Sequence, residues 1–449
     1  MQEVAMKNRK VPHGKFSRFG ALASLAGRVA SNVAWEGTKQ FAQGNRPSRK
    51  DLVMSPANIA HVADKLADLR GAAMKVGQLL SMDAGDLIPP ELSDLLARLR
   101  SNATPMPPAQ LKAVLNDELG DNWQAEFTHF RFSPIASASI GQVHEAYTDA
   151  GEKVAVKVQY PRIKDSIDSD VDNVITLLRL SGLIPKEANY QALLDEAKQQ
   201  LHDEADYRKE AQALTRFGDH LKNANGLMVP RVHSALTSDR VLTMSYMAGE
   251  PIERLNNASE TIRHRVISCL FQLLFEEVFM FGEVQTDPNF ANYLYQPDTG
   301  RVVLLDFGAT RQYAPTFTDG YRKLFLAAIE KDNAGIEAAL TQIGFFAEHI
   351  LPEQKASVLE LVNTACEPIS TDAPFNFGDA DLATRLRNRG MALSMEQGYW
   401  HTPPANALFL HRKIAGLYLL AAKLNVSFNV RQLLLPYLIH SHTDNPVEA

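Results

Sequence analysis

Cysteine is nearly absent. Cys269 and Cys366 are the two thiols among 449 residues, too few and too far apart for a disulfide scaffold or a thiolate zinc site. Long hydrophobic runs are missing as well. No stretch reaches the ~18 apolar residues of a membrane span; the best, 266–284, is broken by Glu276 and Glu277. The first residues lack an apolar core of roughly 7–15 residues followed by a small-residue cleavage site, so no secretory signal is expected and a cytoplasmic protein is the default. Internal repeats are not visible. Nor is there an excess of positive charge: the formal net charge is −6, which argues against a nucleic-acid partner for the whole surface. With 45% hydrophobic and 22% charged residues, the composition is that of a globular protein, not of a disordered or collagen-like chain. At roughly 150 residues per domain the length allows two or three domains, or one two-lobed unit.

The charge is unevenly spread. Residues 1–50 hold ten Lys or Arg against Glu3 and Glu36, a charge of +8, which leaves the other 36 basic and 50 acidic residues at −14. Within this arm Phe16, Phe19, Leu22, Leu25, Ala26 and Val29 recur at three- and four-residue steps, punctuated by Lys15, Arg18 and Arg28. That is a basic amphipathic helix, suited either to packing on its own domain or to an anionic lipid surface.

A polar break at 44–48 separates the arm from a second helical pattern. Ile59, Val62, Leu66, Leu69, Ala73, Val76 and Leu80 form one apolar face, which predicts a buried helix. From about Phe127 the pattern changes to strands. Val154, Val156 and Val158 alternate with polar or small residues over 153–160, a period of two. A further strand is predicted over 238–246 and a short one over 301–307. Helices are predicted over 190–217 and 262–281, and everything after Pro315 reads as helical. The expected organisation is an arm (1–50), a helical extension (51–118), a β-rich lobe (119–249) and a helical lobe (250–449).

Four elements occur in a fixed order: a small-residue loop over 134–144, Lys157 on the following strand, Asp287 with Asn292 five residues on, and the Asp306-Phe307-Gly308 triplet. Singly each is weak. Together they are the parts of kinase-type phosphoryl transfer. A strand lysine neutralises the α- and β-phosphates of a nucleotide. Magnesium needs hard oxygen ligands, which the Asp306 carboxylate and the Asn292 amide oxygen supply. Asp287 would accept or orient the proton of the attacking group. The loop residues Ala136, Ser137, Ala138, Ser139 and Gly141 let backbone N–H groups approach phosphate, and Met244 and Met247 are assigned to the nucleotide pocket. Lys157 needs a carboxylate to hold it; Glu196, Glu204, Asp206 and Glu210 are on offer, and Glu210 is favoured. Lys75 and Gln78 lie one turn apart on one helix face. This reading requires Lys157, Asp287, Asn292 and Asp306 to converge on one triphosphate and its ion.

These motifs resemble those of the UbiB family of atypical, kinase-like proteins, over residues from about 11 to 425. The resemblance rests on Lys75-Val-Gly-Gln78, the alanine-rich loop 136–144, Val154 through Pro161, Glu204-Ala-Asp206, Gln285 through Asn292, Leu304 through Arg311, and His411-Arg-Lys413. Ordinary protein kinases lack the first two, and this chain lacks their His-Arg-Asp and Ala-Pro-Glu motifs. The resemblance implies an α+β, protein-kinase-like bilobal fold, with a small β-rich N-lobe, a large helical C-lobe and an N-terminal helical extension. It implies an ATP- or ADP-binding kinase or ATPase using Mg2+ or Mn2+, supporting ubiquinone (coenzyme Q) biosynthesis from the inner face of the cytoplasmic membrane. Quinone-biosynthesis enzymes or lipid intermediates would be partners, with a homodimer open. It further implies that Lys75 pairs with Glu204 and that Gln78 and Asp206 belong to the same catalytic group. Two other readings stay open, a protein kinase and a catalytically silent nucleotide-binding scaffold. Alanine where a phosphate loop often has glycine restricts positive φ; a stiffer loop, altered nucleotide preference and slow turnover are expected.

Overall fold

The computed structural model describes residues 105–138, 140–180, 191–393, 399 and 403–439. The basic arm, the segment expected to carry Lys75 and Gln78 on a helix, and Ser139 lie outside them. The chain divides into two compact units. Of the described residues, one holds 105–211 together with Val232–Tyr246; the other holds Gln212–Arg231 and those from Met247 on.

The first unit is built on an antiparallel sheet. Its strands are β1 (Phe127–Phe130), β2 (Ala136–Ser137), β3 (Gly141–Thr148), β4 (Lys153–Gln159) and β6 (Val241–Ser245), in the order β1-β3-β4-β6 with β2 on β3. The valines explain its position. Val154, Val156 and Val158 enter one apolar core with Trp123, Phe127, Ala146 and Val241, covered by Leu111, Val114 and Leu115 of helix α1 (Pro108–Leu119). By the strand period of two, Ala155, Lys157 and Gln159 face the other way. Helix α2 (Ile167–Leu180) follows the sheet. The single helix expected over 190–217 is two, α3 (Gln191–Glu204) and α4 (Tyr207–His220). They part at Ala205-Asp206 because Asp206 Oδ1 accepts the Lys209 N–H at 3.1 Å. That is the N-cap geometry that starts a new helix.

The second unit opens with strands β5 (Leu227–Met228) and β7 (Glu250–Pro251), then helix α5 (Glu260–Glu276), capped by Ser259. A wider π turn, Glu277–Phe281, continues α5. Strand β8 (Glu283–Gln285) pairs antiparallel with β11 (Thr310–Gln312). Strands β9 (Tyr293–Gln296) and β10 (Arg301–Leu304) complete a sheet in the order β5-β10-β9-β7. The strand expected over 301–307 stops early: Leu304 pairs with Tyr293, where β9 begins. No partner strand remains opposite Asp306, which falls in the loop that follows.

Beyond Pro315 come α6 (Pro315–Glu330), α7 (Asn333–Ile343), α8 (Pro352–Ala365), α9 (Glu367–Ser370), α10 (Leu382–Met391), α11 (Ala405–Lys423) and α12 (Val430–Ile439). Among the described residues the all-helical expectation misses a two-stranded pair of β12 (Phe375–Asn376) and β13 (Ser427–Phe428). Phe271, Phe377 and Phe428 stack around it, an aromatic cluster whose burial outweighs local helix preference. Helix α11 buries Phe409, Leu410, Gly416, Leu417 and Leu420 within its own unit. Among the described residues no helix is long and apolar enough to cross a membrane.

Candidate active site

In the first unit Lys157 projects from β4 to the Glu210 carboxylate. Its Nζ lies 2.8 Å from Glu210 Oε1 and 2.9 Å from Oε2, and 5.0 Å above the Tyr207 ring. The two side chains are only 9% and 2% exposed, so the pair is little screened by solvent. Glu210 stands in the first turn of α4, where a carboxylate also suits the helix dipole. The break that starts α4 is tied to the same strand. Gln159 Nε2 donates to the Ala205 carbonyl at 3.0 Å and to the Asp239 carbonyl at 3.3 Å. Glu204 ends α3, half-buried; its expected pairing with Lys75 lies outside the described residues. Asp206 serves as the cap of α4.

The alanine-rich loop precedes β3. Ala136 and Ser137 pair with Val143 and Gln142, and the Ala138 N–H donates to the Gly141 carbonyl at 2.9 Å. Neither alanine adopts a positive φ, so alanine fits the backbone without strain. Gly141 is required for a different reason. A Cβ there would press into the Val158 carbonyl oxygen and stand 3.0 Å from the Tyr207 hydroxyl oxygen. Met244 is buried in β6 opposite Ala155. Met247 is half-buried and belongs to the second unit.

The second unit gathers the other three residues. Asp287 Oδ2 accepts from Asn292 Nδ2 at 2.9 Å, and its Oδ1 accepts from the Asn289 N–H at 3.3 Å. Spending its amide nitrogen on Asp287 leaves the Asn292 amide oxygen for a ligand. The Asn292 carbonyl accepts from the Leu305 N–H at 3.0 Å, which brings Asp306 alongside. Asp306 Oδ1 accepts from the Gly308 N–H at 2.9 Å, and Phe307 is buried against Phe217, ring centroids 4.7 Å apart. Asn292 and Asp306 line one small cleft, together with Glu277, Gln285, Tyr293 and Lys413. Two hard oxygen donors in a cleft fit a magnesium ion, which keeps waters and takes its other ligands from phosphate. Among the described residues no group of three or more His, Cys, Asp or Glu forms a denser metal cage.

The back of this cleft holds an ion pair that sequence reasoning did not assign. Lys413 Nζ lies 3.5 Å from Glu277 Oε2, and both side chains are essentially inaccessible. Burial pushes the Glu277 carboxyl up to about 7 against the pull of Lys413. Burial also pulls Lys413 down, but Glu277 and Tyr293 outweigh it and hold the ammonium above its ordinary range. The signal was present: a carboxylate interrupting an otherwise apolar stretch needs a buried cation somewhere else in the chain.

Comparison with known proteins matches residues 98–340 to the ABC1 atypical kinase-like domain. The chain is 37% identical over 431 residues to "Atypical kinase COQ8, mitochondrial" of Saccharomyces cerevisiae, covering 95% of this chain and 85% of that protein. It is 34% identical to "Atypical kinase COQ8B, mitochondrial" of Rattus norvegicus, covering 95% and 81%. Among solved structures it resembles the Mycobacterium tuberculosis protein Rv3197, determined in complex with erythromycin. That match has a TM-score of 0.57 and 25% identity, over 85% of this chain and 95% of that one.

Proposed function

Because the chain belongs to the ABC1 atypical kinase-like family, we propose that it binds ATP with a divalent ion and cleaves the terminal phosphate in support of ubiquinone biosynthesis at a membrane surface. Lys157, held by Glu210, neutralises the α- and β-phosphates. Asn292 and Asp306 would hold Mg2+ or Mn2+, which when bound would supply positive charge to the phosphate oxygens. Asp287, its plane fixed by the Asn292 amide, takes the proton of the attacking hydroxyl or water. The basic arm supplies attachment to anionic lipid. The observation that carries this reading is the grouping of Asn292 and Asp306 on one cleft, with Asp287 bonded to Asn292.

Phosphate release from Mg-ATP by the full chain, with and without anionic liposomes, tests it. Lipid-stimulated release is expected, reduced at least ~100-fold by Asp306→Asn or Lys157→Met, as loss of metal or phosphate clamping implies. Quinone content of a deletion strain complemented with Asp306→Asn should stay low. Full rescue by that variant would make the nucleotide chemistry dispensable and leave a scaffold; broad phosphorylation of added peptides would indicate a protein kinase instead.

A further inference from the structure

The segment from Gln285 to Tyr293 carries Asp287 and Asn292, and both of its ends meet the same buried ammonium. Lys413 Nζ donates to Gln285 Oε1 at 3.2 Å and to the Tyr293 hydroxyl at 3.1 Å. Its third neighbour, Glu277, closes the frame: Glu277 Oε1 accepts the Gln285 backbone N–H at 3.2 Å. Lys413 is 2% exposed and sits on α11, 128 residues along the chain from Gln285. One turn further on the same helix, Gly416 packs against the segment's interior. A Cβ at Gly416 would lie 2.6 Å from Pro288 Cβ. Helix α11 thus touches the segment at its start, middle and end.

The chemistry of the frame is directional. An ammonium only donates, so it assigns the Gln285 amide oxygen to itself. That leaves Gln285 Nε2 as a buried donor with no hydrogen-bond partner among the described residues, in the cleft that Asn292 and Asp306 line. A buried ion pair contributes little net stability compared with apolar side chains of similar volume. Three contacts to the two ends of one functional segment therefore point to geometry, not stability, as what the pair supplies.

We propose that Lys413 is a positioning residue that, with Glu277, clamps both ends of the Gln285–Tyr293 segment and so sets the placement of Asp287 and of the metal-facing oxygen of Asn292. The metal half of this proposal rests on the function proposed above. The clamp itself does not.

Two variants test it. Lys413→Met with Glu277→Gln removes both charges together, so that neither is left buried alone; Tyr293→Phe removes one hydroxyl and leaves the core filled. Amide hydrogen exchange of the full chain, without ligand, reads the clamp directly. Exchange over 286–292 should rise at least tenfold in the double variant and about threefold in Tyr293→Phe, while α6 is unchanged. Binding of a fluorescent ADP analogue, titrated with Mn2+, reads the consequence. The half-maximal Mn2+ concentration should rise at least tenfold in the double variant, while analogue affinity in EDTA stays within twofold. A lower melting temperature with unchanged segment exchange and unchanged Mn2+ requirement would reduce the pair to core packing and overturn the proposal. If the unaltered protein binds the analogue with no Mn2+ dependence while segment exchange still rises in the variants, the proposed nucleotide chemistry fails and the clamp stands. Unchanged exchange in both variants removes the clamp whatever the metal does.

Discussion

His411 shows what burial does to a single titratable group in this fold. It is half-buried, with Nε2 2.7 Å from the Tyr321 hydroxyl oxygen, and desolvation pulls its imidazole down to about 4. An unfolded histidine takes its proton near 6.5, so acid favours the unfolded chain. Stability from this group is whole above pH 6.5 and is lost as pH falls toward 4. Between pH 7 and 5 the loss is about 2 kcal/mol at ~1.4 kcal/mol per unit. Urea melts of the wild type and of His411→Gln at both pH values check this: the variant should lose less stability on acidification, and equal losses would contradict the assignment. The thiols sit at the inert end of the same scale. Burial raises Cys269 to about 11 and Cys366 to about 12, as expected of packing residues, not nucleophiles.

At the scale of elements, helix ends and close approaches decide where the functional groups stand. Asp206 caps α4 four residues before Glu210, so the cap sets the angle from which Glu210 meets Lys157. Replacing it by Ala should cost about 1 kcal/mol and weaken nucleotide binding several-fold, while Asp206→Ser should restore most of both; calorimetric melts and ADP titration measure the two. Helix α11 makes the opposite kind of test. Alanine at Gly416 gains up to about 1 kcal/mol of helix propensity. Its methyl, however, would meet the Pro288 ring at 2.6 Å, and overpacking of that kind costs about 1–3 kcal/mol. We expect net destabilisation and a raised Mn2+ requirement for nucleotide binding. A more stable Gly416→Ala protein would mean the segment yields easily. Gly141 makes the same point on β3: its lack of a side chain is needed by the adjacent Val158 carbonyl, not by a left-handed turn.

At the scale of the molecule, charge is segregated along the chain, +8 in the first fifty residues against −14 in the rest. A basic segment near an anionic membrane gains roughly 1 kcal/mol per Lys or Arg at its surface. Removing residues 1–50 should abolish co-sedimentation with anionic vesicles, and raising salt should weaken the intact protein's binding by screening. Binding that survives truncation, or its absence in the intact protein, would remove the arm as the proposed lipid attachment. The two compact units hold different functional groups, Lys157 and Glu210 in one and Asp287, Asn292 and Asp306 in the other. If they serve one nucleotide, Lys157→Met and Asp306→Asn should each lower affinity for the same ATP analogue, by tenfold or more in equilibrium titration. Loss in one variant alone would separate their roles.

Local chemistry wrote much of this into the sequence. Alternating valines announced β4 and the face on which Lys157 lies, because a strand's period is two. That Asn292 and Asp306 would share one cleft, with Asp287 beside Asn292, was expected from the pattern of oxygen-bearing side chains along the chain, and the structure groups them so. Contacts between distant residues were legible only in part: Glu210 was favoured as the partner of Lys157, and the structure pairs them. Glu210 stood among several acids on one expected helix until the cap at Asp206 broke it and reset the phase. The strand through 301–304 ended where its partner began, which no local preference records. Lys413 meets Glu277 and Gln285 across more than a hundred residues, and a lysine in an apolar helix carries no mark of which carboxylate will neutralise it. Spacing along the chain fixes chemistry within a turn or two. Which buried charge answers which is decided only when burial removes water and leaves each ion the partners that packing brings within reach.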